Sequence, residues 1–178
     1  MMKSDFFFRT VKFMLVCVMF LSFTCSCIFD DDMIDKEYEL SVGDTIPDFA
    51  VIMNDSTVVT SAELRKGKCL IMFFHTDCPD CQGTLPSVQK VYDEYLGKGV
   101  KFALISRSQL SEPIEEYWSQ MGYTMPYSPQ PTREVYALFA SSRVPRVYVC
   151  KDGKVVSFYR DDPIPTYEQL KADMESLF

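Results

Sequence analysis

The apolar run Cys69-Leu-Ile-Met-Phe-Phe74 is followed, three residues later, by Cys78-Pro-Asp-Cys81. Apolar residues then recur at Leu85, Val88, Val91, Tyr92, Tyr95 and Leu96. An unbroken apolar run of this length suits a strand buried on both faces. The later spacing is that of one helix face, and Gly97 and Gly99 end it. The two cysteines therefore stand at a strand-to-helix junction, which limits the chain to folds where a buried strand feeds directly into a helix. Pro79 takes the first helical position, where its missing N–H costs nothing. Cys78 becomes the N-cap, its sulfur facing unpaired backbone N–H groups and the positive end of the helix dipole. Those groups favour a thiolate, the nucleophilic form of cysteine. Cys81, one turn on, lies beside Cys78 under the helix. The pattern predicts an exposed attacking sulfur and a shielded resolving sulfur.

The remaining elements fit the same plan. Phe49–Met53 and Thr57–Thr60 read as a β-hairpin around the turn Asn54-Asp55-Ser56. Val100–Ser106 is a second buried strand. Ser111 is expected to open a helix with Pro113 in its first turn and Gly122 at its close. Glu134–Ala140 reads as a further helix. Val144–Cys150 and Lys154–Arg160 read as strands joined by Lys151-Asp152-Gly153. Thr166 caps a last helix whose stripe is Leu170, Met174 and Leu177. Strands and helices in this order give an α/β fold: a central mixed β-sheet flanked by helices, with an N-terminal β-hairpin extension.

The start of the chain reads differently. Lys3, Arg9 and Lys12 precede the apolar stretch Phe13–Phe23, which is too short to span a bilayer, since that takes about 20 residues. A basic start, a short apolar centre and small residues beyond it describe an export signal over residues 1–27. Cys25 and Cys27 each follow a small residue and precede acid, as in a bacterial lipoprotein signal, with Cys27 favoured for lipidation. The leucine such signals carry three residues before the cysteine is missing at both. Residues 28–42 are acidic and aperiodic and read as a tether, leaving 43–178 as the domain. The expected location is the periplasmic side of a Gram-negative bacterium, with the chain anchored to the membrane by its lipid. Without residues 1–27, eighteen basic residues become fifteen and twenty-five acidic ones become twenty-four, so the net charge moves from −7 to about −9. That charge argues against nucleic acid as a partner. Of the later cysteines, Cys69 and Cys150 sit in apolar runs and read as buried small hydrophobes.

From Ser41 to Phe178 the chain resembles the thioredoxin superfamily, in its exported TlpA/ResA-like branch. The resemblance rests on Pro47-Asp48-Phe49, the Cys78/Cys81 pair, Pro86 five residues past the second cysteine, and Val144-Pro145 before a hairpin with Lys151-Asp152-Gly153-Lys154. It implies a thioredoxin-like fold and a thiol–disulfide oxidoreductase in which Cys78, Cys81 and Pro145 are the site residues. It implies a cis Val144–Pro145 bond, with Pro145 against the Cys78 sulfur and the Val144 backbone free to pair with a substrate strand. The redox group is the Cys78–Cys81 disulfide itself, with no other cofactor. The partners are protein thiols and disulfides and a membrane thiol-transfer electron donor. Three positions depart from the family: Asp77 where a tryptophan often stands, Met72 where thioredoxins bury an acid, and Thr84 where some ResA-like members place a glutamate.

Those departures leave the proton-handling residue unassigned, with His75, Asp77 and Asp80 as candidates. For His75, packing or loop solvation is the plainer reading. Negative charge at Asp77 and Asp80 makes the Cys78 thiolate costlier and so stabilises the disulfide, the mark of a reducing centre. Arg143 and Arg146, on either side of Pro145, push the other way. The bland alternative is that all four charges are solvated. Two other functions share these motifs. Copper delivery would use the soft thiolates, but that branch spaces its cysteines by three residues and adds a histidine after them. A thiol peroxidase would need a threonine or serine where His75 stands.

Overall fold

The computed structural model describes residues 38–178. The export signal, the lipidation candidates Cys25 and Cys27, and tether residues 28–37 lie outside the described residues.

The two short strands β1 (Ala50–Ile52) and β2 (Val58–Thr60) form the antiparallel N-terminal hairpin. Ser56 holds its tight turn at φ +68°. A one-turn helix, α1 (Ser61–Leu64), follows at once and is capped by Thr60. The main sheet begins with β3 (Lys68–Phe74), which runs into α2 (Pro79–Tyr95). β4 (Lys101–Ser106), α3 (Ser111–Met121), the two-residue β5 (Tyr127–Ser128) and the short α4 (Glu134–Ala137) come next. β6 (Arg146–Lys151), β7 (Lys154–Tyr159) and α5 (Tyr167–Ser176) complete the chain. The strand order is β5-β4-β3-β6-β7. β3 lies parallel to β4 and antiparallel to β6, so the sheet is mixed, as the sequence predicts.

Strand β3 is the central strand, and it is fully buried from Cys69 to Phe74. Its side chains alternate between faces. Phe74 packs on Trp118 of α3, with ring centres 5.0 Å apart. Phe73 packs on Tyr136 and Phe139 on the opposite face. Parallel crossovers are right-handed, and β3-α2-β4 and β4-α3-β5 step the same way along the sheet. Helices α2 and α3 therefore share the Phe74 face.

Helix α3 opens at Ser111, as expected, behind a Leu110 cap that makes no side-chain bond. Two expectations are corrected at element ends. Helix α4 stops at Ala137, because Phe139 and Ala140 turn into the core and pair with the N-terminal segment. The expectation that the tether runs through residue 42 is corrected over 38–42. Glu39 forms a β-bridge with Ala140, the Leu40 N–H donates to the Phe139 carbonyl at 2.8 Å, and Leu40 is buried. An apolar residue among acids is enough to dock this segment onto the body.

Candidate active site

Cys78 has extended backbone angles and is the N-cap of α2, with Pro79 next in the first turn. The Cys81 N–H points at the Cys78 sulfur at 3.4 Å. Cys78 is partly exposed, whereas Cys81 is fully buried. Both are thiols here. Burial, followed by the neighbouring Cys78 sulfur, pushes the Cys81 thiol well above its ordinary value.

The Val144–Pro145 bond is cis, as the resemblance implies. Its loop faces Cys78, whose thiol donates to the Val144 carbonyl at 3.3 Å. The Val144 carbonyl is thus engaged in this dithiol form, not free as expected. Pro145 is buried beside it. Each residue of this loop is held by a different part of the chain. Ser141 exchanges hydrogen bonds with Tyr38. The Ser142 carbonyl accepts from the Arg107 guanidinium at 3.2 Å. The Arg143 carbonyl accepts from the Tyr136 hydroxyl at 2.6 Å. With Cys78 on Val144, four consecutive residues are fixed before the strand begins.

The loop before Cys78 is braced just as closely. Buried Thr76 receives the Gln109 side-chain amide N–H on its hydroxyl at 2.5 Å and donates its own N–H to the Gln109 side-chain oxygen Oε1 at 3.0 Å. Its backbone carbonyl accepts from Gln82 of α2 at 2.7 Å. Arg107, Gln109 and Tyr136 are not singled out by the sequence reading. The only signal for the first two is polar residues placed directly after an apolar strand, where the strand ends of an α/β sheet build their sites.

An open recess of about 370 Å³ lies over the Cys78 sulfur. It is lined by His75, Asp77, Cys78, Asp80, Arg107, Arg143, Val144 and Asp161. Asp77 and Asp80 are exposed. Water screens exposed charges strongly, and two arginines share the same recess. His75 is partly buried, and its Nδ1 accepts the Asp77 backbone N–H at 3.2 Å, so that nitrogen is occupied.

Arg146 does not join the recess, which corrects the expectation that it bears on Cys78. It is buried and bonded to the Glu39 carboxylate, and its guanidinium also reaches Asp161 at 3.2 Å. A buried guanidinium needs such partners, because an unpaired charge in the interior is costly. Burial acts to raise the Asp161 carboxyl, but its own backbone N–H, Arg143 and Arg146 outweigh it and hold the group below the usual carboxylate value. At the two vacant family positions, Met72 is buried in β3, and the Thr84 hydroxyl donates to the Asp80 carbonyl at 2.7 Å. Among the described residues, no three histidine, cysteine or acidic side chains converge as a metal site.

The chain is similar to known proteins over nearly all of this body. It is 26% identical over 153 residues to a thiol-disulfide oxidoreductase ResA of Oceanobacillus iheyensis, covering 84% of this chain and 77% of that protein. It is 22% identical to the Bacillus thuringiensis protein of the same name, over 99% of each chain. Among solved structures, it superimposes on a thioredoxin-family thiol:disulfide interchange protein from Chlorobium tepidum with a TM-score of 0.66. That match has 19% identity and covers 78% of this chain and 98% of the other. The fold is thioredoxin-like, and the redoxin family pattern matches residues 41–174. With that match spanning most of its length, the chain belongs to the redoxin family.

Proposed function

We propose that this chain is an exported thiol–disulfide oxidoreductase that reduces disulfides in other proteins. One observation carries the reading: a partly exposed thiol at the start of α2, receiving a backbone N–H, with a buried second thiol one turn behind it and a cis-proline loop in front. The similarity to proteins named thiol-disulfide oxidoreductase supports it.

The Cys78 thiolate attacks one sulfur of a partner disulfide. A mixed disulfide forms, and the partner's other sulfur leaves as a thiolate. The Cys81 thiolate then attacks Cys78, which releases the second partner sulfur and closes the Cys78–Cys81 disulfide. The partner gains two electrons, and the dithiol loses them. Once Cys78 is ionised or bonded it no longer donates to Val144, and that carbonyl can accept an N–H from an extended partner segment. The dithiol is itself the redox group, so no bound cofactor is called for. A membrane thiol-transfer protein would return the electrons.

The reducing direction is inferred from Asp77 and Asp80 on the rim of the recess, against the opposing charge of Arg107 and Arg143 in the same recess. Negative charge beside a dithiol favours its disulfide form. The leader sequence supports export and a lipid on Cys27 or Cys25. Incorporation of a labelled fatty acid, lost in Cys27→Ser or Cys25→Ser, tests the anchor.

The main test is partner trapping. Cys81→Ser should accumulate disulfide-linked adducts at Cys78 that dithiothreitol dissolves. Cys78→Ser should form none and should lose insulin-disulfide reduction. Turnover by Cys78→Ser at the wild-type rate would sink the proposal.

A further inference from the structure

Two cysteines take no part in that chemistry. Cys69 is on β3 and Cys150 on β6, and the antiparallel register sets them directly opposite each other. Both are free thiols with no exposed surface. Directly opposed side chains on such a pair share one face, with Cβ atoms about 4.5–5.5 Å apart. A disulfide accepts Cα separations of about 4.4–6.8 Å, which spans what opposed residues provide. Hydrogen bonding with the Cys69 side chain, followed by burial, pushes the Cys150 thiol far above its ordinary value. Cys69 stands five residues before Phe74, so at about 3.3 Å per residue it lies roughly 16 Å down the strand from the Cys78 loop.

We propose that Cys69 and Cys150 are a second thiol couple, which closes to a cross-strand disulfide tying β3, the strand that delivers Cys78, to β6, the strand that follows Pro145. Closure is an exchange with a small-molecule or protein disulfide. One cysteine attacks the carrier and displaces one of its thiolates, and the other cysteine attacks the mixed disulfide and displaces the second. The two protein thiols lose two electrons and two protons, and the carrier leaves as two thiols. In the finished sheet both sulfurs are covered. The exchange therefore takes place while β3 and β6 are still apart. The closed bond is then sealed from reductants that reach Cys78.

Trypsin provides the test. The full chain carrying Cys78→Ser and Cys81→Ser is unfolded, refolded with oxidised glutathione, alkylated and digested. The expected product is the peptide 69–90 joined to the peptide 147–151, and reduction separates them. In the wild-type chain, native treatment with dithiothreitol should open Cys78–Cys81 at least 100-fold faster than this linkage. Recovery of Cys69 and Cys150 as alkylated, glutathione-bound or otherwise paired residues overturns the proposal. Should the double variant not refold, wild-type chain taken from producing cells into acid and digested gives the same two outcomes: the joined pair supports the proposal, and separate alkylated peptides overturn it.

Discussion

A buried thiol that must act as a thiolate depends on what can take its proton, and Cys81 has little around it that can. Thr84, one turn on along the same helix face, spends its hydroxyl on a backbone carbonyl, and Met72 offers nothing. With the Cys81 thiol held high by burial and by Cys78, its ionised fraction at neutral pH is small and grows as pH rises. Release of product from the mixed disulfide should therefore quicken about tenfold per pH unit between roughly pH 6 and 9. Single-turnover release measurements would show this, and a flat profile would contradict it. Thr84→Glu places a proton acceptor at that position. It should speed release near pH 7 by about 10²-fold and flatten the profile. The sequence made the roles of Cys78 and Cys81 legible, because capping and burial follow from position in a helix. It did not reveal Gln109, Arg107 or Tyr136, because each acts on a loop far away along the chain, and periodicity says nothing about which distant loops meet. Arg146 is illegible for the same reason: its neighbour Pro145 is at the site, but its own side chain turns inward to Glu39.

Helices α2 and α5 are joined by a charged clasp. Glu94 accepts from the Tyr167 hydroxyl at 2.6 Å and from Lys171 at 3.2 Å, with Lys98 one turn further along the chain at 3.4 Å. The Tyr167 bond, then Lys171, lower the Glu94 carboxyl to about 2. Its folded value thus lies below its unfolded one, so as pH falls the unfolded chain takes up the proton first. The clasp's stabilisation is complete above about pH 4.5 and fades toward pH 2. Urea midpoints of wild type and Glu94→Gln should differ at pH 7 and converge at pH 2 to 3; a constant gap would count against the clasp. At the β6–β7 hairpin, Asp152 (φ +50°) and Gly153 (φ +82°) both adopt left-handed angles, as a two-residue turn of this hand requires. Gly153→Ala should cost about 1–2 kcal/mol in urea unfolding, since its Cβ would also stand 3.0 Å from Arg65 Cγ. This turn was legible in Asp-Gly. Strand β5 was not, because two residues carry no period.

For the molecule as a whole, apolar runs and helical stripes were enough to foresee a mixed sheet with helices against it, because burial patterns encode layers. They did not foresee that the stretch from Tyr38 to Val42 belongs to the body, since its ties are one buried leucine, a few backbone bonds to 139–141 and one carboxylate meeting one buried guanidinium. Glu39→Ala should destabilise the fold by about 3 kcal/mol, read by urea denaturation, because Arg146 keeps only Asp161 as an acidic partner. An unchanged midpoint would mean that water replaces the carboxylate. The same docking sets a leash length. A free stretch of 28–42 would be fifteen residues, reaching about 50 Å when fully extended. With 38–42 sewn down, ten residues remain after Cys27, reaching at most about 35 Å. Were Cys27 lipidated, such a leash would keep the dithiol within a few tens of ångströms of the lipid surface, and partners farther from the bilayer would be out of its reach.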